Sequence, residues 1–235
     1  VAGEGLLRVE GALECIVGRR LNRFVVEVLV EGEPLKAYVN NTGRLLDLLV
    51  EGRRGFCTVK ESGKTNCRLF AVEDQGAGAI LDTQLQMKAF EAWLNAGLIQ
   101  WLKGWMISRR NVKLGDSVID YLMRKESEHA YVEVKSAVLR SDKYALYPDC
   151  PSLRGRRHVK ELTRHAIGGG KSIIVFMAAL PKAVAFKPNA SADAELYSLL
   201  LNAKKAGVEV RAIASFYDPS TSLIRPYNFD LKVVL

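Results

Sequence analysis

Residues 117–139, SVIDYLMRKESEHAYVEVKSAVL, decide how this chain is read. Two strand-like runs, SVIDYLM and AYVEVKSAVL, flank a polar turn, RKESEH. A strand alternates its faces with period two. Tyr131, Glu133 and Lys135 therefore share one face of the second run, and Val132, Val134 and Ser136 share the other. The valines read as the buried side, which sets an acid and an ammonium side by side opposite them. Asp120 stands in the first run between Ile119 and Tyr121. Charges among such residues are costly unless paired or bound to a metal. On spacing alone the pattern is that of a partly solvated sheet face with a cross-strand ion pair, because ionisable side chains are mostly solvated. The surrounding chain supplies a second meaning.

Upstream, TQLQMKAFEAWLNAG places Leu85, Ala89, Ala92, Trp93 and Ala96 at helical spacing, with Thr83 as an N-cap and Gly97 as a stop. Downstream, SLRGRRHVKELTRHAIGGG reads as a helix ending in glycines. KSIIVFMAAL follows as a buried strand, SADAELYSLLLNAKKAG as a helix, and VEVRAIASF as a strand. That alternation makes an α/β domain with a mixed sheet. The tail, RPYNFDLKVVL, adds a strand to one domain or the other. On the basic helix, Arg154, His158, Glu161 and His165 form one polar stripe and Arg157, Lys160 and Arg164 a neighbouring basic one, with Val159, Leu162 and Ala166 toward the core. GGGKS, residues 168–172, is not a phosphate loop. His165 stands where the motif needs glycine, and the order is helix to strand.

Residues 1–82 read as short strands separated by turn chemistry: GALECIVGR, RFVVEVLV, LKAYVNN, GFCTVKES and CRLFAVE, broken by EGEP, NNTG, EGRRG and SGKTN. Five such strands suggest a small barrel of the OB type. The expected organisation is thus α+β in two domains: residues 1–82 an OB-like β-barrel, residues 83–235 an α/β domain with a mixed sheet. Arg19, Arg20, Arg23, Arg53, Arg54, Lys60 and Lys64 can supply charge in the barrel, and Phe24, Tyr38 and Phe56 can stack on bases or pack in the core.

The chain has 235 residues and a formal net charge of +8. Residues 1–82 hold 11 Lys/Arg against 12 Asp/Glu, whereas residues 83–235 hold 23 against 14. The excess positive charge belongs entirely to the second part and points to a polyanion, nucleic acid before membrane. The longest apolar run, IIVFMAAL, is too short to span a bilayer, and the first residues lack a signal-peptide pattern. A cytoplasmic protein is expected, with a homo-oligomer left open. Cys15, Cys57, Cys67 and Cys150 lack C-x-x-C spacing, so buried thiols are the default and a Cys57–Cys67 bridge the alternative.

A helix, a strand with Asp120, a hairpin partner with Glu133-x-Lys135 and a basic helix follow the order of the PD-(D/E)XK nuclease fold. There two carboxylates from adjacent strands bind Mg²⁺. The metal activates water and neutralises charge on the scissile phosphate. A lysine two residues after the glutamate orients that water or stabilises developing charge.

The chain also resembles, over nearly its whole length, the sugar fermentation stimulation protein A family. The matching segments are RRLNRFVVEV, NNTGRL, YVEVKSAVL, YPDCPSLRGRRHVKEL, FKPN and AKKAGVEVRA. The resemblance implies an OB-like domain, a nuclease-like domain, DNA binding and a link to sugar utilisation. It places Asp120, Glu133 and Lys135 on the family's D…ExK, Arg154, Gly155, His158 and Glu161 on its RG-x-x-H-x-x-EL, and Asn41, Thr42 and Gly43 on its NTG. Mg²⁺ or Mn²⁺ is expected on Asp120, Glu133 and the Val134 carbonyl, with Lys135 acting on water or phosphate. DNA is expected on Arg154, Arg157, His158, Lys160 and Arg164, and on Arg23, Asn41, Thr42 and Gly43 of the barrel. Two departures stand out. Val118 occupies a position that is usually arginine, and Ala92 replaces a helix glutamate that Glu91, one residue earlier, would have to supply. The alternatives are a DNA-binding regulator that uses the nuclease-like fold only as a platform, and a barrel that binds small nucleotides.

Overall fold

The computed structural model describes residues 7–59 and 65–235; Lys60 and Lys64 lie outside them. In the first part, β1 (Leu7–Arg8), β2 (Ala12–Asn22), β3 (Val25–Val30), β4 (Glu33–Tyr38), β5 (Arg54–Val59), β6 (Cys67–Asp74) and β7 (Ala77–Ile80) precede α1 (Thr83–Asn95). Next come β8 (Met106–Leu114), β9 (Ser117–Lys125), β10 (Glu128–Ser136), β11 (Leu139–Ser141) and β12 (Tyr144–Tyr147). The chain ends with α2 (Leu153–Ile167), β13 (Lys171–Ala178), β14 (Ala185–Pro188), α3 (Ala194–Lys205), β15 (Glu209–Asp218) and β16 (Leu223–Asn228).

The five expected barrel strands form and close. Strands β4, β3, β2, β5 and β6 neighbour one another in that order, and parallel pairing of Ala37 with Cys67 joins the two ends. Val26 and Val28 of β3, with Cys15 and Val17 of β2, fill the interior, as alternation predicts. Cys57 and Cys67 are buried thiols with no disulfide between them, and a hydrogen bond with Cys15, helped by burial, pushes the Cys57 thiol up to about 12.

The sheet does not stop at the barrel. It continues through β7, β15, β13, β10 and β9 to β8 at the edge. β7 pairs with β15 at Gly78 and Tyr217, and the Tyr217 ring meets Phe56 and Phe70 of the barrel edge-on at about 5 Å. The tail adds β16 to β15, and β1 pairs with β16. Strand β13 is buried on both faces, which its unbroken apolar run requires of a central parallel strand. A separate sheet of β11, β12 and β14 lies alongside.

Two expectations need correction. The α1 cap is Asp82, whose carboxylate accepts from the Leu85 N–H at 2.9 Å, and Thr83 is the first helical residue. The valine face of β10 is not simply the inside. Glu133 is 2% exposed and Val134 only half-buried, because β10 lies between β9 and β13 and α2 covers the face that carries Glu133.

Candidate active site

The β9–β10 ladder ends at Tyr121 and Val132. Beyond it the strands part, and the two carboxylates occupy the gap. Asp120 Oδ2 accepts from the Val134 N–H at 2.8 Å, and Glu133 Oε2 accepts from the Asp120 N–H at 3.2 Å. Each side chain replaces a backbone acceptor that the ladder no longer provides. Both open into a cleft of about 680 Å³ between the barrel and the α/β unit, with Val134 and Lys135 also on its wall.

Helix α2 fixes the other side. Ser152 caps it by accepting from the Gly155 N–H, and Asp193, the cap of α3, accepts from the Ser152 N–H, so one carboxylate ties both helix starts. Gly155 permits the close approach: a Cβ there would lie 2.8 Å from Tyr147 Oη and from Ser152 Oγ. The helix brings His158 Nδ1 to 2.5 Å from Glu133 Oε1 and Arg154 Nε to 3.3 Å from His158 Nε2. In this arrangement Nδ1–H donates to Glu133 and Nε2 accepts from Arg154. Lys135 Nζ donates to the same Glu133 oxygen.

The two acids are driven apart. Burial raises Asp120, the neighbouring Glu133 charge adds to it, and the carboxyl is pushed up to about 6. Burial also opposes charge on Glu133, but Lys135 and then His158 outweigh it and draw Glu133 down to about 2. Burial alone would lower Lys135, yet Glu133 holds it above the ordinary lysine range. At Glu133 the neighbouring cation and donor thus outweigh burial, while at Asp120 burial and the Glu133 charge outweigh Lys135 and Arg154.

The donors suit a hard divalent ion. Glu133 Oε2, Asp120 and the Val134 carbonyl are all oxygen, the chemistry that Mg²⁺, Mn²⁺ and Ca²⁺ prefer, and Lys135 and His158 occupy only Oε1. Among the described residues, no three His, Cys, Asp or Glu side chains group to hold an ion by themselves. The set is therefore open and leaves positions for water or substrate.

The other expected residues divide. Arg154, Arg23, Asn41, Thr42 and Gly43 line the same cleft. Asn41 is buried and shapes the loop, donating to the Leu81 carbonyl and accepting from the Gly43 N–H. His158 is 2% exposed with both ring nitrogens engaged, so it cannot hold a phosphate and supports Glu133 from behind. Arg157, Lys160 and Arg164 do not line the cleft. Lys160 pairs with Glu195 and Arg164 with the buried Glu161. Glu91 lies on the opposite face, held by Arg110 and the Tyr121 hydroxyl, and takes no part in the site. From α1 the cleft is lined by Thr83, Gln86 and Met87, and Gln86 donates to the Ile80 carbonyl and Ser136 Oγ. Val118 is exposed, and its cross-strand partner is Lys113. Gln86 and the cleft-lining Tyr147 and Asp149 were not singled out in the sequence. The available signals were a polar residue among the core positions of α1 and, for Tyr147 and Asp149, their place in the segment YPDCPSLRGRRHVKEL.

An OB-type barrel joined to a nuclease-like α/β unit with two carboxylates and a lysine at a sheet break defines the class of this protein. The description "SfsA N-terminal OB domain" matches residues 19–81, and "Sugar fermentation stimulation protein RE domain" matches residues 84–221. The sugar fermentation stimulation protein homologue of Archaeoglobus fulgidus is 47% identical over 98% of this chain and 99% of its own length. That of Pyrococcus furiosus is 44% identical over 97% and 98%. The solved structure of Pyrococcus furiosus SfsA in complex with Ca²⁺ matches with a TM-score of 0.94 and 42% identity, covering 98% of this chain and 99% of that one. The chain belongs to the sugar fermentation stimulation protein family. Among the described residues, no helix is long and apolar enough to cross a membrane.

Proposed function

We propose that this chain is a cytoplasmic DNA-binding protein with divalent-metal-dependent phosphodiesterase chemistry at Asp120, Glu133 and Lys135. The observation that carries the reading is the placement of Glu133, held by Lys135 and His158, and the half-buried Asp120 side by side at the break in the β9–β10 ladder, both on one cleft wall. That the Pyrococcus furiosus protein was solved with Ca²⁺ supports a divalent cation here, with Mg²⁺ or Mn²⁺ as the working ion. When bound, such an ion supplies Lewis-acid activation of water and of the phosphate. Asp120, Glu133 and the Val134 carbonyl would hold it.

This chain's own residues do the rest. Lys135, on the same face and beside Glu133, offers its ammonium to the attacking water or to charge developing on the phosphate. His158 and Arg154 fix Glu133 so that one oxygen remains for the ion. Residues 1–82 act as a nucleic-acid-binding barrel and residues 83–235 as the nuclease-like unit, which share the cleft.

Lys135→Met tests the reading. It keeps the stem and both carboxylates. End-labelled single- and double-stranded DNA is incubated with Mg²⁺, Mn²⁺ or EDTA. Cleavage by the wild type should fall at least about a hundredfold in the variant, the usual scale for a positioned charge, with DNA binding within about tenfold. Tight wild-type binding without cleavage in either metal would favour the second reading, a DNA-binding regulator of sugar metabolism. The Val118–Lys113 edge, which lacks an arginine beside Asp120, supports that reading.

A further inference from the structure

The barrel arginines differ in their partners. Arg19, Arg54 and Arg68 pair with Glu27, Glu14 and Asp82. Arg20 and Arg23 instead direct their guanidinium hydrogens at backbone carbonyls: Arg20 at Asn22, Arg23, Gly43 and Arg44, and Arg23 at Thr42. Among the described residues, neither they nor Arg44 has a carboxylate within ion-pair distance. The Asp149 carboxylate, which accepts from the Leu45 N–H, acts on Arg20 and offsets part of its charge. A carbonyl accepts a hydrogen bond without cancelling a charge, so with three guanidinium groups against that one carboxylate this rim of the barrel stays net positive.

That rim borders a groove of about 550 Å³ lined by Arg20, Arg23 and Arg44. The groove runs into the carboxylate cleft, since Arg23, Thr42, Gly43, Cys150 and Pro151 line both. An aromatic pair stands at the junction. Phe24 is 38% exposed, its ring centroid lies 6.4 Å from that of Tyr38, and the Arg23 guanidinium sits 5.7 Å from it. Both rings line the cleft. Phe56, the third aromatic candidate, is 1% exposed and belongs to the core.

We infer that this rim seats a single-stranded polynucleotide, with a base stacked on Phe24 and the backbone crossing Arg20, Arg23 and Arg44 into the Asp120–Glu133 cleft. The inference rests on the reading of the cleft as a phosphodiester site and names its substrate as unpaired strand. The arginines alone would attract any polyanion. The ring is selective: in a duplex the base faces are covered by one another, so only an unpaired base offers a π-face to Phe24. An acidic peptide would satisfy the arginines and leave the ring unused.

Anisotropy titrations in EDTA test this without cleavage. The probes are fluorescein-labelled 15-nucleotide oligo-dT, oligo-rU and a blunt 15-base-pair duplex. One single strand or both should bind at least about tenfold tighter than the duplex, and their difference identifies DNA or RNA. Phe24→Ala should weaken single-strand binding by about tenfold and leave the duplex within twofold, and Phe24→Trp should restore it. Duplex binding as tight as single-strand binding, or equal loss in Phe24→Ala and Phe24→Trp, would overturn the inference. Because the assay holds no metal, strand binding without later cleavage would sink the nuclease reading and leave the stacking seat intact. Cleavage of duplex with no strand preference would do the reverse.

Discussion

The Val134 N–H donates to Asp120 Oδ2 at 2.8 Å just where β9 and β10 cease to pair. A carboxylate of the candidate site thus doubles as the stitch that closes a broken ladder. The bond survives amidation, because an asparagine carbonyl accepts as the carboxylate does, and this separates charge from geometry.

Asp120→Asn should therefore stabilise the metal-free protein, in a pH-dependent way. With the folded carboxyl pushed up to about 6 and the unfolded one near 4, the folded protein binds the extra proton between them. Wild-type stability from this group falls as pH rises through that window and is flat above it. The variant should match the wild type below about pH 4 and exceed it above about pH 6, by up to about 3 kcal/mol. Denaturant melts from pH 4 to 8 in EDTA measure this. An advantage largest at low pH would refute it.

Ca²⁺, Mg²⁺ or Mn²⁺ should raise the wild-type melting temperature, by about 2.7 kcal/mol of stability at a hundredfold excess over Kd. Glu133→Gln should abolish most of the metal-induced shift, whatever its own baseline. Equal shifts in both proteins would remove Glu133 from the ligand set.

His158 offers a conservative pair. Asparagine can keep a donor near the Nδ1 position, whereas leucine cannot. His158→Leu should cost about 1–3 kcal/mol by leaving buried Glu133 short of a partner, and weaken divalent-ion affinity about 10–100-fold. His158→Asn should recover most of both. Calorimetric titration with Mn²⁺ tells them apart, and identical losses would make His158 mere packing.

The barrel loop docks on Asp149, which accepts from the Leu45 N–H at 2.8 Å. A Cβ on Gly43 would lie 2.5 Å from that carboxylate. Gly43→Ala should cost about 1–3 kcal/mol through overpacking. Adding Asp149→Ala should relieve part of that, giving a combined loss smaller than the sum of the single losses. Simple additivity would show that the two do not meet.

The site core was legible because its chemistry is local in sequence: Glu133 and Lys135 are two residues apart, and the hairpin itself delivers Asp120. The residues Arg154, Gly155, His158 and Glu161 were legible as a motif but not in their roles, since burial of His158 depends on α2 lying across β10. Strand β8 went unread because it is a sheet edge: MISRRNVKL is mostly exposed and has no apolar alternation to detect. Strand β7, AGAI, is too short and small to announce itself. Glu91 and Gln86 sit on one helix, and only tertiary packing decides which of them reaches the cleft. The ion pair that occupies Lys160 was equally invisible, because Glu195 comes from another helix, whereas Arg164 and Glu161 are an i,i+3 pair within α2 that helical spacing does show.

The passage of β7 out of the barrel to pair with β15, and the return of Tyr217 between Phe56 and Phe70, carries a consequence for how the molecule comes apart. Neither half can melt alone without stripping a strand partner and an aromatic cluster from the other. Heat should drive one calorimetric transition, with van't Hoff and calorimetric enthalpies in agreement. A chain severed after residue 82 would yield two fragments with raw sheet edges, each prone to self-association.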